Sequence, residues 1–556
     1  LLGKAVRDAR INSHNRSLSF LVKGGYIRPL DKGLFSYLPL GIRVLEKLKA
    51  VIRQALEELG GQEVLVPFLG PESIFQASGR LNWIGREAIK IRTNDGQTLI
   101  LSPTHEEAMV DLVRRVPHGF NELPMLIYQF QTKFRDEEHP WGGMFRTREF
   151  LMNDAYSFHR SFTGINNFFP KMYKLFCRLF RSLGLNCLAA EASVGYMAGE
   201  KAYEFLMPYP SGDVQVVHCK GCGYTANAEV AVALKNNSVE PLRPMKEVTY
   251  TGDYNNFVGA HQELDLPLAW MVKSFLLQGE GKRFLILLRG DKELSLEKLR
   301  LDMGDPSMDY LKLKEVMDME LQPGFVSPLN LPAEIGILVD ETVADSTNLV
   351  IPGPIKKTAY LDSNFGRDYD GMRLGDWTKV VEGDTCKFCG SPLKATPALE
   401  LGHIFKLGDF YTRKAALRYQ KETGSGFFPH MGSYGIGLGR LFAAVAHQHS
   451  QNNGISWPRE LVPYHIYLMA IGNSNRVRDC VEEIYEVLGG DLVLYDDRKI
   501  SAGKKFQDCE LLGVPIRLVL TRKLFTEGLI ECRIQGAAEI ELWPLDEVEK
   551  RVKLIL

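Results

Sequence analysis

The chain has 556 residues, 45% hydrophobic and 24% charged, with a formal net charge of −1. That composition describes about three or four ordinary globular domains, and it excludes wholesale electrostatic attraction to nucleic acid while leaving room for local basic patches. No apolar run approaches a membrane span and the N-terminus has no signal-peptide pattern, so a cytoplasmic protein with no membrane partner is expected, and its nine cysteines favour metal or free thiols over disulfides.

Residues 16–60 predict a first helix, a Gly-rich hairpin and a long amphipathic helix. In GIRVLEKLKAVIRQALEELGG, Ile42, Leu45, Leu48, Ile52, Leu56 and Leu59 recur at helical spacing, and Gly60 and Gly61 stand where helices stop. EVLVPF follows as a strand, and because Pro67 cannot donate to a ladder, it belongs at an edge or an interface. A helix and strand of this kind fit a dimer surface and a core equally well. The strand LILS then leads into Thr104-His105-Glu106-Glu107, which opens a helix that Ser102 or Thr104 is placed to cap.

From residue 126 to 137 apolar and polar side chains alternate. Leu126, Tyr128, Phe130 and Phe134 point one way, and Gln129, Gln131, Lys133, Arg135 and Glu137 the other. After a segment with Pro140, Gly142 and Gly143, a second run puts Arg146, Arg148, Phe150, Met152 and Asp154 on one face. This predicts an antiparallel hairpin with a long loop and one buried apolar face. Its polar face, three arginines among carboxylates, suits a solvated surface as well as a site. A helix over residues 164–184 and a strand-like return to residue 217 follow.

At Cys219-Lys-Gly-Cys222 the composition changes, and a matching Cys386-Lys-Phe-Cys389 appears far downstream. Between them runs an α/β pattern: helix AWMVKSFLLQ, strand RFLILLRGD, helix SLEKLRLDM, strand IGILVDETV and segment TAYLDSNFGRD. Two CxxC pairs at its neck predict an insertion that folds alone and is pinned at its root. Four thiols in two knuckles suit a tetrahedral metal site, with zinc the default ion. The main fold resumes with LELGHIFKLGDFY and reaches MGSYGIGLGRL, a glycine-rich strand running into a helix with Arg440 at its entrance. Leu438, Leu441, Phe442 and Val445 are that helix's apolar stripe. The last stretch alternates strand and helix, a βαβ-type domain with a mostly parallel sheet.

With these motifs in order along nearly the whole length, the chain resembles the class II aminoacyl-tRNA synthetases, and among them the bacterial-type prolyl enzymes. GIRVLEKLKAVIRQALEELGGQEVLVP resembles motif 1, FRDEEHPWGGMFRTREF motif 2 and MGSYGIGLGRL motif 3; SPTHEE, REFLMNDAYSFH and GHIFKLG are specific to the proline enzyme. The resemblance implies an α+β multidomain protein. Its antiparallel-sheet catalytic core comprises residues 1–218 and 396–460, an editing-like α/β domain is inserted at 219–395, and an α/β anticodon-binding domain occupies 461–556. The implied activity is to join proline to ATP and transfer it to the 3′ end of tRNA(Pro), as a homodimer. An inactive tRNA-binding relative is the alternative, and Arg135, Glu137, Arg146 and Arg440 all speak against it. A threonyl enzyme would need a zinc-binding Cys/His set in its site, whereas no cysteine falls between Thr104 and His159.

Residue by residue, the resemblance implies that Arg135 bridges the amino-acid carboxylate and the α-phosphate, which the planar guanidinium fork suits. Glu137 and Arg146 hold the adenine and phosphates, Phe150 stacks on the base, and Arg440 takes the γ-phosphate beside a helix N-terminus. Mg²⁺ neutralises the triphosphate, with Glu400 on the ribose or metal side. Thr104 and Glu106 take the proline ammonium, while Met152 and His403 line the ring. Asn153 and Ser433 stand where many relatives carry lysine and cysteine, and no chemistry is expected of either. In the insertion Lys273 matches the lysine that holds the tRNA 3′ end for editing. Ser327 and Ala359 depart from the family's glycine and histidine. The turn with Asp496, Asp497, Arg498, Lys499, Lys504 and Lys505 is chemically apt for the two guanines that proline anticodons share.

Overall fold

The long helix, Pro39–Glu57, starts on a proline, whose missing N–H would lack a helical partner in the first turn anyway. It buries Val44, Leu45, Leu48, Ile52 and Leu56, but Ile42, expected on the same stripe, is 44% exposed. At 100° per residue Ile42 lies about a third of a turn from the centre of that face. The strand expected over EVLVPF is shorter and earlier, Gly61–Glu63, parallel to Met125–Phe134 at a sheet edge. The Val64 N–H still donates to the Tyr128 carbonyl at 2.8 Å, and residues 65–67 leave the ladder. Side chains take over there: Gln129 Oε1 accepts from the Val66 N–H at 3.1 Å, and Gln131 Nε2 donates to the Val66 carbonyl at 2.8 Å.

The computed structural model describes residues 2–3, 5–6, 16–81, 89–116, 119–197, 199–235, 237, 239–250, 257–319, 321, 325–420, 425–451, 453–537 and 539–556. The chain divides into two compact units, one centred on Cys187–Phe410 and the other built from segments on either side of it. In the latter, the strands run in the order Gly61–Glu63, Met125–Phe134, Glu149–His159, His430–Gly437. The middle two form the expected hairpin. Helix Leu438–Gln448 packs against Glu149–His159 and the long helix, burying Leu438, Leu441, Phe442 and Val445 as its stripe requires. Helix Phe162–Ser182 is capped by Ser161, whose hydroxyl accepts from the Gly164 N–H.

The same unit carries a C-terminal sheet in the order Val493–Asp496, Ile466–Ile471, Ile516–Thr521, Leu529–Ile534, Glu541–Pro544. The first three strands are parallel and the last two antiparallel. Buried Ile466, Leu468, Val481, Leu518 and Trp543 are part of its core.

In the other unit, strands Leu188–Ala192, Lys201–Pro208, Val214–Cys219, Thr225–Asn227 and Leu393–Gly408 pair around until Lys201–Pro208 also meets Leu393–Gly408. A five-stranded sheet follows in the order Asp309–Tyr310, Val272–Gly279, Lys282–Arg289, Ile335–Asp340, Arg373–Gly375. It is covered on both faces by apolar clusters. AWMVKSFLLQ, expected as a helix, is instead a 3-10 turn and the strand Val272–Gly279. The cause is the next two residues. Glu280 and Gly281 both take positive φ, 44° and 76°, making a two-residue hairpin turn that pairs this strand with Lys282–Arg289.

Candidate active site

The hairpin register puts Gln129 opposite Asp154, Gln131 opposite Met152 and Lys133 opposite Phe150. Their side chains therefore share one face, the face with the alternating polar residues. It is not a solvated surface: Gln129 and Lys133 are 0% exposed, whereas Phe130 and Phe134 on the apolar face are only half-buried. The polar face is satisfied by its own network. Lys133 Nζ lies 2.7 Å from Asp154 Oδ1, and Gln129 Nε2 and the Tyr156 hydroxyl donate to Asp154 Oδ2 at 2.9 and 2.8 Å. Burial pulls the Lys133 ammonium below its ordinary value and Asp154 pulls it back. Removing one partner of such a pair costs about 3–5 kcal/mol, because it strands the other charge.

Above this floor, the Arg135 guanidinium stands 5.3 Å from the centre of the Phe150 ring, and its buried Nε has no hydrogen-bond partner. A buried cationic donor left open in this way is a ready anion acceptor. The chain turns back through Gly142 and Gly143 at φ +62° and +71°, a conformation open to glycine at little cost. There Glu137 pairs with Arg146, and accepts from the His139 amide at 3.1 Å. Burial pushes the Glu137 carboxyl up, but Arg146 and His139 hold it below the ordinary range. Arg148 Nε donates to the Glu137 carbonyl at 3.0 Å. Strand His430–Gly437 sets Gly437 opposite Met152, and helix Leu438–Gln448 starts at once. Arg440 Nε donates to the Phe145 carbonyl at 2.6 Å, which orients this side chain against the hairpin loop.

Thr104 and Glu106 are 8% and 2% exposed at the start of helix Glu106–Arg115. The N-cap residue is His105, with no side-chain cap bond, rather than Ser102 or Thr104. Burial, with Lys133 nearby, lowers His105 to about 3, so its ring is neutral. Ser433, from which no role was expected, donates to Glu106 Oε1 at 2.9 Å. Asn153 donates to the Gln129 carbonyl at 3.1 Å. Ser433, His105, Gln129, Lys133, Asp154 and Tyr156 were thus missed as site residues. For Gln129, Lys133, Asp154 and Tyr156 the one signal was polar side chains at every second position of paired strands.

Glu400 and His403 belong to the other unit, on strand Leu393–Gly408. His403 stacks on Phe405 with ring centres 3.9 Å apart, its Nδ1 3.3 Å from Glu400 and 3.9 Å from Glu204, and its buried Nε2 has no partner. Burial raises Glu204 to about 7, opposed by His403. Lys273 lies on the misassigned strand, half-buried, its Nζ donating to the Gly290 carbonyl at 3.2 Å. Burial lowers its ammonium from the ordinary value, against Glu293 and Asp291. The next residue, Ser274, accepts from the Val326 N–H beside Ser327, and Ala359 is 0% exposed in a cluster with Met271 and Phe325. Lys273, Ser327 and Ala359 therefore share one neighbourhood.

The four cysteines converge. Cys219 and Cys389 sulfurs are 3.4 Å apart, Cys222 and Cys386 3.7 Å, and all four lie within 4.8 Å. In the C-terminal domain the charged turn splits in two. Asp496 is 4% exposed and its carboxylate accepts from Arg498 and from the Tyr467 hydroxyl, while Arg498 also reaches Asp508 at 2.8 Å and Lys505 donates to the Asp496 carbonyl. Asp497, Lys499 and Lys504 are exposed.

The family description "tRNA synthetase class II core domain (G, H, P, S and T)" matches residues 89–449, and "Anticodon binding domain" matches 465–554. The chain is 36% identical over 557 residues to a proline–tRNA ligase of Thermoanaerobacter pseudethanolicus, covering 99% of this chain and 96% of that one. With the enzyme of Thermotoga maritima the identity is 35% over 530 residues, 94% of this chain and 91% of that one. In fold it is similar to prolyl-tRNA synthetase of Cryptosporidium parvum complexed with L-proline and AMP, with a TM-score of 0.57 at 12% identity over 100% of this chain and 77% of that one. The Giardia lamblia enzyme in complex with prolyl-adenylate gives 0.56 at 14%, over 96% and 75%.

Proposed function

The chain belongs to the proline–tRNA ligases, a family of class II aminoacyl-tRNA synthetases, and we propose that it activates proline with ATP and passes the prolyl group to the 3′ end of tRNA(Pro). A proline carboxylate oxygen attacks the α-phosphorus, the bond to the β-phosphate oxygen breaks, and pyrophosphate leaves. A terminal ribose hydroxyl of the tRNA then attacks the prolyl carbonyl and AMP leaves. Charge builds on phosphoryl oxygens in the first step, so fixed cations and in-line placement do most of the work. The observation that carries this reading is the open, buried Nε of Arg135 beside Phe150. Arg135 takes the carboxylate and α-phosphate, Phe150 the adenine face, Glu137 and Arg146 the base edge and phosphates, and Arg440 the γ-phosphate. A magnesium counter-ion on the ATP phosphates would neutralise part of their charge. Thr104 and Glu106, the latter held by Ser433, accept from the proline ammonium, while Met152 lines the ring. Exchange of labelled pyrophosphate into ATP, run across a panel of amino acids, is expected to require proline. Exchange driven by another amino acid, or by none, would overturn the reading.

We extend the proposal to a homodimer, supported by the exposed apolar Leu65, Leu69 and Ile91, and to the cytoplasm. Among the described residues no helix is long and apolar enough to cross a membrane.

Discrimination against alanine motivates a role for the insertion. A pocket for proline cannot shut out a smaller side chain, and lost methylene contacts supply only about 1–3 kcal/mol. A second site that hydrolyses alanyl-tRNA(Pro) closes that gap, and Lys273 is its residue for the tRNA end. The parent chain is expected to release alanine from preformed alanyl-tRNA(Pro) faster than buffer does, and Lys273→Ala to lose that excess. Release no faster than buffer would leave the insertion a docking element. Since Ala359 is packed in the core, the histidine of relatives is not replaced in kind there.

For the anticodon we assign direct contact to the exposed Asp497, Lys499 and Lys504, and support of the turn to Asp496, Arg498 and Lys505. Asp497→Ala or Lys504→Ala is expected to raise the KM for tRNA(Pro) by about tenfold, with tRNA-independent pyrophosphate exchange unchanged. An unchanged KM for tRNA in both variants would remove the turn from recognition.

A further inference from the structure

We propose that Asp154 is a positioning residue for proline, a carboxylate that touches no substrate and fixes the residues that do. The proposal rests on the assignment of Arg135, Thr104 and Glu106 to proline. Asp154 is 3% exposed. Lys133 engages its Oδ1 at 2.7 Å, and Gln129 and Tyr156 engage its Oδ2 at 2.9 and 2.8 Å.

Two connections lead away from this carboxylate. The first runs through Lys133, two residues before Arg135; the strand ends at Phe134, but the Arg135 N–H still donates to the Arg148 carbonyl at 2.9 Å, which keeps Arg135 on the Lys133 face. An ammonium anchored at Asp154 fixes the floor from which Arg135 rises. The second runs through Tyr156. While its hydroxyl donates to Asp154, it accepts from the backbone N–H of His105 at 3.3 Å. His105 stands between Thr104 and Glu106, its Nδ1 3.9 Å from Asp154 Oδ2 and its Nε2 3.2 Å from the Pro67 carbonyl. One carboxylate thereby ties together two segments distant in sequence. One carries the guanidinium for the proline carboxylate, and the other carries the acceptors for the proline ammonium. Of the residues assigned to ATP, Glu137 is anchored on Arg146 and Arg148 and Arg440 on Phe145, whereas Arg135 serves both substrates and Phe150 stands opposite Lys133. Disturbing Asp154 therefore reaches proline through both connections and the nucleotide through the hairpin alone. An amide in its place could not substitute, because its NH₂ would confront a donor, whichever way it turned.

The test is steady-state pyrophosphate exchange by the full-length chain, with thermal melting to report the fold. Asp154→Asn alone strands the Lys133 charge and is expected to melt lower. Lys133→Met combined with Asp154→Asn removes both charges and is expected to recover most of that loss. In this folded double variant the proline KM should rise about 10- to 100-fold, the scale of a misplaced binding group. The ATP KM should rise by a clearly smaller factor than the proline KM. Tyr156→Phe, which keeps the volume and removes only the bridging hydroxyl, is expected to show the same split to a smaller degree, and it decides the matter if the double variant does not fold. A folded variant with a parental proline KM, or one whose proline and ATP parameters decline together, would reduce Asp154 to a structural ion pair. A parent chain with no proline-dependent exchange would instead overturn the functional assignment beneath the proposal.

Discussion

Replacing Arg135 by alanine is expected to slow proline-dependent pyrophosphate exchange by at least about 100-fold, the loss typical of one fixed electrostatic contact to a transition state. The reason is local. Arg135 is the guanidinium whose buried Nε is left open beside the Phe150 ring. Lys133, on the same face, is committed to Asp154 at 2.7 Å, and Arg148, opposite Arg135, donates to the Glu137 carbonyl at 3.0 Å, so neither is placed to replace it. Negative charge on the α-phosphoryl oxygens grows toward the transition state, so the loss should fall on kcat more than on either KM. Arg135→Lys should recover little, because an ammonium lacks the planar fork that spans a carboxylate and a phosphate together. Activity of the alanine variant within a few-fold of the parent would remove Arg135 from the reaction.

The second large effect expected is on metal content and stability. Protein purified without chelator should hold one zinc per chain, and Cys219→Ser or Cys386→Ser should lose it. Tetrahedral zinc with sulfur ligands at about 2.3 Å sets those sulfurs about 3.8 Å apart, close to the 3.4 and 3.7 Å found here. The two knuckles repeat each other. In each, the glycine after the second cysteine takes positive φ, Gly223 at +78° and Gly390 at +75°, and its N–H donates back to the carbonyl of the first. The donor set is thus formed before any ion arrives. Hydrogen bonds from Ser391 and the neighbouring thiols bring the Cys389 thiol down to about 6, while the Cys222 thiol of the same cluster is raised to about 12. Because Cys219 and Cys389 draw together positions 170 residues apart in sequence, stripping the ion should lower the melting temperature by several degrees, yet leave proline activation within a few-fold. The readouts are metal analysis and melting with and without chelator. Well under one zinc per chain would mean that the thiols are only closely packed.

How far the residues alone could be read varied from element to element, for physical reasons. The hairpin was legible because a period of two is a property of the strand itself, and Pro140, Gly142 and Gly143 mark the loop. The helix Leu438–Gln448 was legible from its stripe, and the CxxC knuckles from their spacing. AWMVKSFLLQ was not, since a short apolar run fits helix or strand equally well; the turn at Glu280 and Gly281 and the partner strand decided it. Ser433 carried no signal, because its hydroxyl matters only through Glu106, which is 327 residues away in sequence.

By itself the sequence determined the class of protein, the order of its motifs and the chemical types it brings together: a guanidinium on the polar face of the hairpin, and two pairs of thiols. Only the tertiary structure decided which polar residues face water and which face each other. Alternating polar side chains look alike in either case. Lys133 could have been a solvated charge until the register set Phe150 opposite it, Asp154 within 2.7 Å and the His105 segment close by. Burial then made that pairing obligatory, because a lone ammonium out of water is too costly to keep.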